Sequence, residues 1–120
     1  MPHVVLAGRP GAAALDAYAA VFEPFAVREE DLIVKVERLY RERDGRGALL
    51  ETIVSHRGHT QKFFVQLAPK DTELTVRLEP LTDPEKTPGV RRALALIASR
   101  VAGVAGCRVA RTNIESYLDR

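Results

Sequence analysis

The chain has 120 residues and a mass of 13.2 kDa, so we expect residues 1–120 to form a single domain. Hydrophobic residues make up 46% and charged residues 28% of it, which excludes wholesale disorder. Eighteen basic and sixteen acidic residues leave a net charge of +2. That charge is far from the concentrated positive charge of a typical nucleic-acid-binding protein.

The cysteine content and the hydropathy indicate a soluble cytoplasmic protein. A single cysteine, Cys107, allows no intrachain disulfide and fits a reducing compartment. The apolar run Val4–Ala7 is too short for a signal-peptide core, and no run approaches the roughly 20 apolar residues of a membrane span. Asn, Gln and Met are scarce, which indicates a heat-adapted source because these residues are thermolabile.

The first half of the chain predicts a strand, a helix and a hairpin. Residues 3–8 are apolar and β-branched, as in a strand. The alanine-rich segment 12–22 carries large apolar residues at spacings of three and four, which predicts an amphipathic helix. The runs 32–42 and 48–56 are predicted strands, joined by a tight turn at Asp44-Gly45.

Two more strands are predicted to extend this hairpin into a meander. The run 60–67 follows a tight turn at Arg57-Gly58, and the run 73–79 follows a turn over 69–72.

A second helix is predicted after the meander. Asp83 is a suitable N-cap with Pro84 at the first helical position, and the helix extends to about residue 103. The tail, 107–120, has Thr112 three residues before Glu115, a capping-box pattern that predicts a short C-terminal helix.

The resulting order, β-α-β-β-β-β-α, predicts an α+β fold in which two helices cover one face of an antiparallel meander. This order resembles the TATA-binding-protein-like group of domains at the level of topology. The resemblance rests on no motif and implies no function. The position of the first strand within the sheet stays open.

The turns set a strand register, and the register sorts the side chains onto two faces. The predicted core face carries Ile33, Leu39, Leu50, Val54, Phe63, Val65, Leu67, Leu74, Val76 and Leu78. The opposite, outer face carries six large apolar residues: Val34, Val36, Tyr40, Leu49, Ile53 and Phe64. The same register places Arg38 opposite Glu51 and Lys62 opposite Glu79, two favourable cross-strand pairs.

An apolar cluster on an outer sheet face predicts a surface for association. We expect a non-catalytic interaction module that forms a homodimer through this face. Its interface residues are predicted to be Val36, Tyr40, Ile53, Phe64, Arg38, Glu51 and Lys62. A bulge that re-phases a strand, or a cover formed by the first strand and the tail, would instead remove these residues from the surface.

Two other functions stay open on the sequence alone. Nucleic acid could stack on the aromatic residues of the outer face and contact basic side chains there or in the tail, namely Arg38, Lys62, Arg77, Arg108 and Arg111. A small molecule or substrate could occupy a pocket between the helices and the sheet.

The sequence contains no motif that names a reaction, a metal or a cofactor. His56 and His59 face each other across a predicted turn, but zinc needs four donors. The loop 8–11 lacks both the Walker and the dinucleotide-binding patterns. Cys107 has no histidine nearby in the sequence to activate it, and Glu29-Glu30 is predicted to lie in a solvated loop.

Overall fold

In the described part of the chain, a seven-stranded antiparallel sheet curls around two of three helices, so the predicted α+β class is confirmed and the predicted elements occur in the predicted order. The computed structural model describes residues 1–44 and 46–118. The strands are β1 (His3–Ala7), β2 (Phe25–Glu29), β3 (Leu32–Arg41), β4 (Ala48–His56), β5 (His59–Lys70), β6 (Glu73–Leu78) and β7 (Arg108–Thr112). The helices are α1 (Gly11–Ala20), α2 (Pro88–Ala105) and α3 (Glu115–Leu118). Across the sheet the order is β2-β3-β4-β5-β6-β1-β7.

The core lies between one face of the sheet and the helices α1 and α2. Eight of the ten residues predicted for the core face are buried: Leu50, Val54, Phe63, Val65, Leu67, Leu74, Val76 and Leu78. Each such side chain contributes about 1.5–3 kcal/mol by leaving water. From α2 the stripe Val90, Leu94, Ile97 and Val101 packs onto them.

A β-bulge at Glu37 corrects the predicted faces of β3. Arg38 pairs with Glu51 as predicted, but the register shifts by one residue between Val36 and Arg38. A one-residue shift moves side chains to the other face. Val34 and Val36 are therefore in the core, 0% and 1% exposed, and Ile33 is on the outer face instead of the core.

The turn between β5 and β6 is tighter than predicted. Lys70 pairs with Glu73, so the turn consists of residues 71 and 72 and the register moves by two residues. A shift of two keeps every side chain on its predicted face but changes its neighbours. Glu79 therefore lies beside Phe64, to whose oxygen its N–H donates at 2.9 Å, and the predicted Lys62–Glu79 pair is wrong.

Two strands of the sheet were not predicted. Strand β2 pairs with β3 at one edge, from Phe25 opposite Val36 to Glu29 opposite Leu32, where a loop was predicted. Strand β7 pairs with β1 at the other edge, within the predicted tail. Strand β1 therefore lies inside the sheet, between β6 and β7.

Helix α2 begins at Pro88 and not at the predicted Pro84. Asp83 has a φ of 23° and is not the N-cap. The N-cap is Thr87, whose hydroxyl oxygen accepts from the Val90 N–H at 3.2 Å, with Pro88 at the first helical position. A capping residue followed by proline occurs twice, at Asp83-Pro84 and at Thr87-Pro88, and the helix begins at the second of these pairs. At its other end the helix extends through Gly103 to Ala105, and Gly106 in the left-handed conformation ends it.

Parts of two predictions lie outside the described residues: Gly45 of the first hairpin turn, and Asp119 and Arg120 of the tail. On either side of that turn the predicted register holds, because Arg41 pairs with Ala48 and the Glu42 N–H donates to Gly47. The short C-terminal helix is confirmed as α3. Within the described ranges, no helix has the length and apolarity needed to cross a membrane.

Candidate functional site

The outer face of the sheet carries an apolar group, here called the outer patch and formed by Ile33, Tyr40, Leu49, Ile53 and Phe64. The rings of Tyr40 and Phe64 meet edge to face, with centroids 6.1 Å apart and planes at 85°. Tyr40 is 42% exposed, and the other four residues are half-buried. Aromatic pairs in this geometry add to the stabilisation that burial alone provides.

A small polar network fixes the edge of the outer patch. The Tyr40 hydroxyl donates to a Glu51 carboxylate oxygen at 3.2 Å and accepts from Arg38 at 3.5 Å. Lys62 Nζ lies 3.8 Å from the other oxygen of Glu51. The contact with Tyr40, together with the charge of Glu51, raises the pKa of Arg38 above its ordinary value. Six of the seven predicted interface residues therefore lie together, and only Val36 is removed to the core.

Ile33 and Glu42 belong to this surface but were not predicted for it. Ile33 was assigned to the core because the bulge was not recognised. A signal was available: Leu32, Val34 and Val36 alternate, whereas Leu39 breaks their phase by one residue. Glu42 lies just beyond β3, and its carboxylate accepts from the Gln66 side chain at 3.3 Å on the outer face.

The five basic residues considered for nucleic-acid binding are spread over the outer face and one sheet edge. Arg77 Nε donates to Gln66 at 2.7 Å. Arg111 makes a bidentate ion pair with Glu73, at 2.6 and 3.0 Å, and this contact holds the pKa of Glu73 below its usual value. Arg108 is exposed on β7. Since Arg38 and Lys62 also have Glu51 beside them, much of this positive charge is neutralised by neighbouring carboxylates.

A polar cleft of about 420 Å³ opens at the end of the sheet, where the turns after β2 and β4 meet the start of α2. Arg57 Nε donates to Asp31 at 2.9 Å, and His56 Nε2 lies 3.4 Å from the same carboxylate. The hydrogen bond from Arg57 holds the pKa of Asp31 below its usual value. The other side of the His56 ring packs against Gly89. His56 thus has Asp31 on one side and α2 on the other, an arrangement that positions the helix.

The wall of this cleft contains a buried ion pair. Arg92 on α2 binds both carboxylate oxygens of Glu29 on β2, each at 2.8 Å, and also donates to the Tyr117 carbonyl. The Arg92 side chain is 5% exposed and that of Glu29 is 35% exposed. Glu29 is therefore a structural ion-pair partner at the end of a strand and not part of a solvated loop.

The structure also places the histidine pair and the loop 8–11. His56 and His59 do pair across the β4–β5 turn, but no group of three or more His, Cys, Asp or Glu side chains in the described part of the chain could hold a metal ion. In the loop 8–11, Arg9 donates to the Ala105 carbonyl at 2.9 Å and so caps the end of α2. A Cβ on Gly11 would lie 2.2 Å from the Glu73 carbonyl, so this glycine permits close packing.

Comparison of the chain with protein-family models, with curated proteins and with solved structures finds no match. The topological resemblance to TATA-binding-protein-like domains stays a prediction.

Proposed function

We propose that this chain is a non-catalytic protein-interaction module that forms a homodimer through the outer patch. One observation carries the proposal: Tyr40, Phe64, Leu49 and Ile53 lie side by side on the solvent face of the sheet, away from the helices. Aromatic and aliphatic residues grouped in this way form the energetic centres of interfaces between proteins.

The charges around the outer patch favour a second copy of the chain as the partner. Arg38, Lys62 and Glu51 place both signs next to the apolar centre. An interface with two-fold symmetry must be complementary to itself, and a surface of mixed sign meets this requirement. A nucleic acid would instead need uncompensated positive charge, which this face has lost to Glu51 and Glu73.

The two edges of the sheet are poor alternatives to its face. Edge strands that must not pair with other chains are short, charged or bulged. Strand β2 has five residues and carries the exposed Arg28. Strand β7 also has five residues and is irregular opposite Val5 and Leu6, where it contains one extra residue. Association is therefore expected to use the face.

The test is the mass in solution of the full chain, measured by light scattering on a sizing column. The wild type is expected at twice the 13.2 kDa chain mass. Phe64→Asp places an unpaired charge in the interface centre and should weaken dimerisation about thirtyfold or more, giving monomers. Ile53→Asp should do the same while folding well, because Lys35 and Lys62 flank position 53 and accommodate the new charge.

Val21→Asp is the matched control. Val21 is an apolar residue that is 61% exposed at the end of α1, so the same substitution there should leave the dimer intact. A monomeric wild type contradicts the proposal. So does an Ile53→Asp variant that keeps the wild-type mass.

A further inference from the structure

Two opposite charges of the outer face, Lys35 on β3 and Glu42 just beyond it, are separated along the strand, while Arg77 lies farther across the sheet on β6. Lys35 and Lys62 both pair with Ile53, on either side of it, and so lie at one end of the group formed by Tyr40, Leu49 and Phe64, with Ile33 beyond them. Glu42 lies at the other end, beyond Tyr40, where its carboxylate contacts Gln66. The apolar residues Tyr40, Leu49 and Phe64 lie between these two ends.

This separation restricts how two copies can stack. When two sheets pack face to face, their two-fold axis lies in the plane between them. An axis that crosses the strands reverses the strand direction and exchanges the lysine end of this group with the Glu42 end. An axis along the strands would instead place each end against its own copy, lysine against lysine. Like charges in contact disfavour that arrangement.

We infer that the two-fold axis of the proposed homodimer, on which this inference rests, crosses β3 between Arg38 and Tyr40. Glu42 of each copy then pairs with Lys35 of the other. Lys62 is the weaker candidate for this role, because Glu51 of the same chain already lies 3.8 Å from its nitrogen. The same axis places the Tyr40 ring against the Arg38 guanidinium of the second copy, a favourable cation–π arrangement.

The inference is tested by charge exchange, with the dimer dissociation constant measured by analytical ultracentrifugation. Glu42→Lys and Lys35→Glu should each weaken the dimer about tenfold, since two-fold symmetry replaces two attractive contacts by two repulsive ones. The double variant Glu42→Lys with Lys35→Glu restores opposite charges and should return to within about threefold of the wild-type constant. Glu23→Lys, which reverses an exposed charge after α1, should have no effect.

The outcomes separate this inference from the proposed function. If the wild type and Val21→Asp are dimers and Ile53→Asp is a monomer, the outer patch forms the interface. If the single reversals then have no effect, or if the double variant is no tighter than either one, the orientation inferred here is wrong although the dimer stands. A monomeric wild type overturns both.

Discussion

Gly89 lies where the first turn of α2 meets the end of β4. A Cβ built on it would lie 2.9 Å from His56 Nδ1 and 3.0 Å from His56 Cβ, closer than van der Waals contact. Because residue 89 is a glycine, the helix can pack directly against the His56 imidazole at the end of the β4–β5 hairpin. The capping group of α2, Thr87, and the buried Arg92 are on the same side, so this contact fixes the start of the helix.

We expect Gly89→Ala to lower the free energy of unfolding by about 1 kcal/mol, because the new methyl group displaces His56. Gly103→Ala is the matched control within the same helix. Nothing lies within 4 Å of its new Cβ, so it should raise that free energy by about 0.5–1 kcal/mol through helix propensity. Urea denaturation at a fixed protein concentration measures both. Equal effects of the two substitutions would contradict a special contact at Gly89.

The ion pair between Asp31 and Arg57 should make the free energy of unfolding depend on pH. Arg57 lowers its folded-state pKa below the ordinary 3.8, so the ion pair adds stability above pH 3.8 and loses it as the pH falls through the folded-state pKa. Arg57→Gln should move the pKa of Asp31 back towards its ordinary value. An NMR titration of the Asp31 carboxyl carbon measures this shift, with Arg43→Gln as a control on an exposed loop. An unchanged titration in Arg57→Gln would show that Arg57 is not the cause.

At the scale of elements, two arginines of α2 attach the edge strand β2 to the helix. Arg92 binds Glu29 at one end of β2, and the Arg100 guanidinium lies 3.9 Å from the ring centroid of Phe25 at the other end. Arg92 also reaches α3 through the Tyr117 carbonyl. An isolated five-residue edge strand has little area of its own to bury, so these contacts explain why the chain forms a strand here.

The ion pair predicts unequal costs for removing its two charges. Glu29→Gln leaves the Arg92 guanidinium, with its side chain 5% exposed, without a carboxylate, and should cost about 3 kcal/mol of the free energy of unfolding. Arg92→Met leaves a carboxylate that is 35% exposed and can be hydrated, so the cost should be about 1–2 kcal/mol. Urea denaturation at pH 7 compares them. A larger loss for Arg92→Met would contradict the assigned burial.

The elements that could be predicted are those that carry their own local signals. The four strands of the meander are long, and turn residues separate them. The helices have apolar residues at helical spacing. Strands β2 and β7 have five residues each, and neither has a fully buried position. Strand β7 shows no alternation, and the alternation of β2 between half-buried and exposed residues is too short to identify a strand. Strand β2 pairs with the adjacent β3 and is held from the other side by Arg92 and Arg100 of α2, whereas β7 pairs with β1. The contacts with α2 and with β1 are long-range, and no local pattern contains them.

The outer patch could be predicted in part for the same reason. Tyr40, Leu49, Ile53 and Phe64 belong to regular pairings that the β3–β4 and β4–β5 turns fix. Val36 was misplaced because one extra residue, Glu37, reverses the phase of the first half of β3. The two consecutive charged residues Glu37 and Arg38 interrupt the apolar alternation at the position of the bulge.

At the scale of the molecule, the sheet has one covered face, one open face and two protected edges. The concave face holds the core beneath α1 and α2. The edges carry short strands with arginines, and β7 adds a bulge. The face that remains open carries the outer patch, and the proposed dimer would cover it. In the proposed dimer, this architecture would favour a pairing that closes on itself over growth into longer assemblies.

The place of β1 has a consequence for the order in which the molecule can be assembled. Strand β1 is synthesised before the other strands of this sheet, yet its two neighbours are β6 and β7, the last two of these strands in chain order. On the ribosome the meander β2–β6 can pair as it emerges, whereas β1 must wait for β6 and the sheet is complete only after residue 112. Closing such long loops slows folding, so β1 insertion is expected to be a late step of refolding.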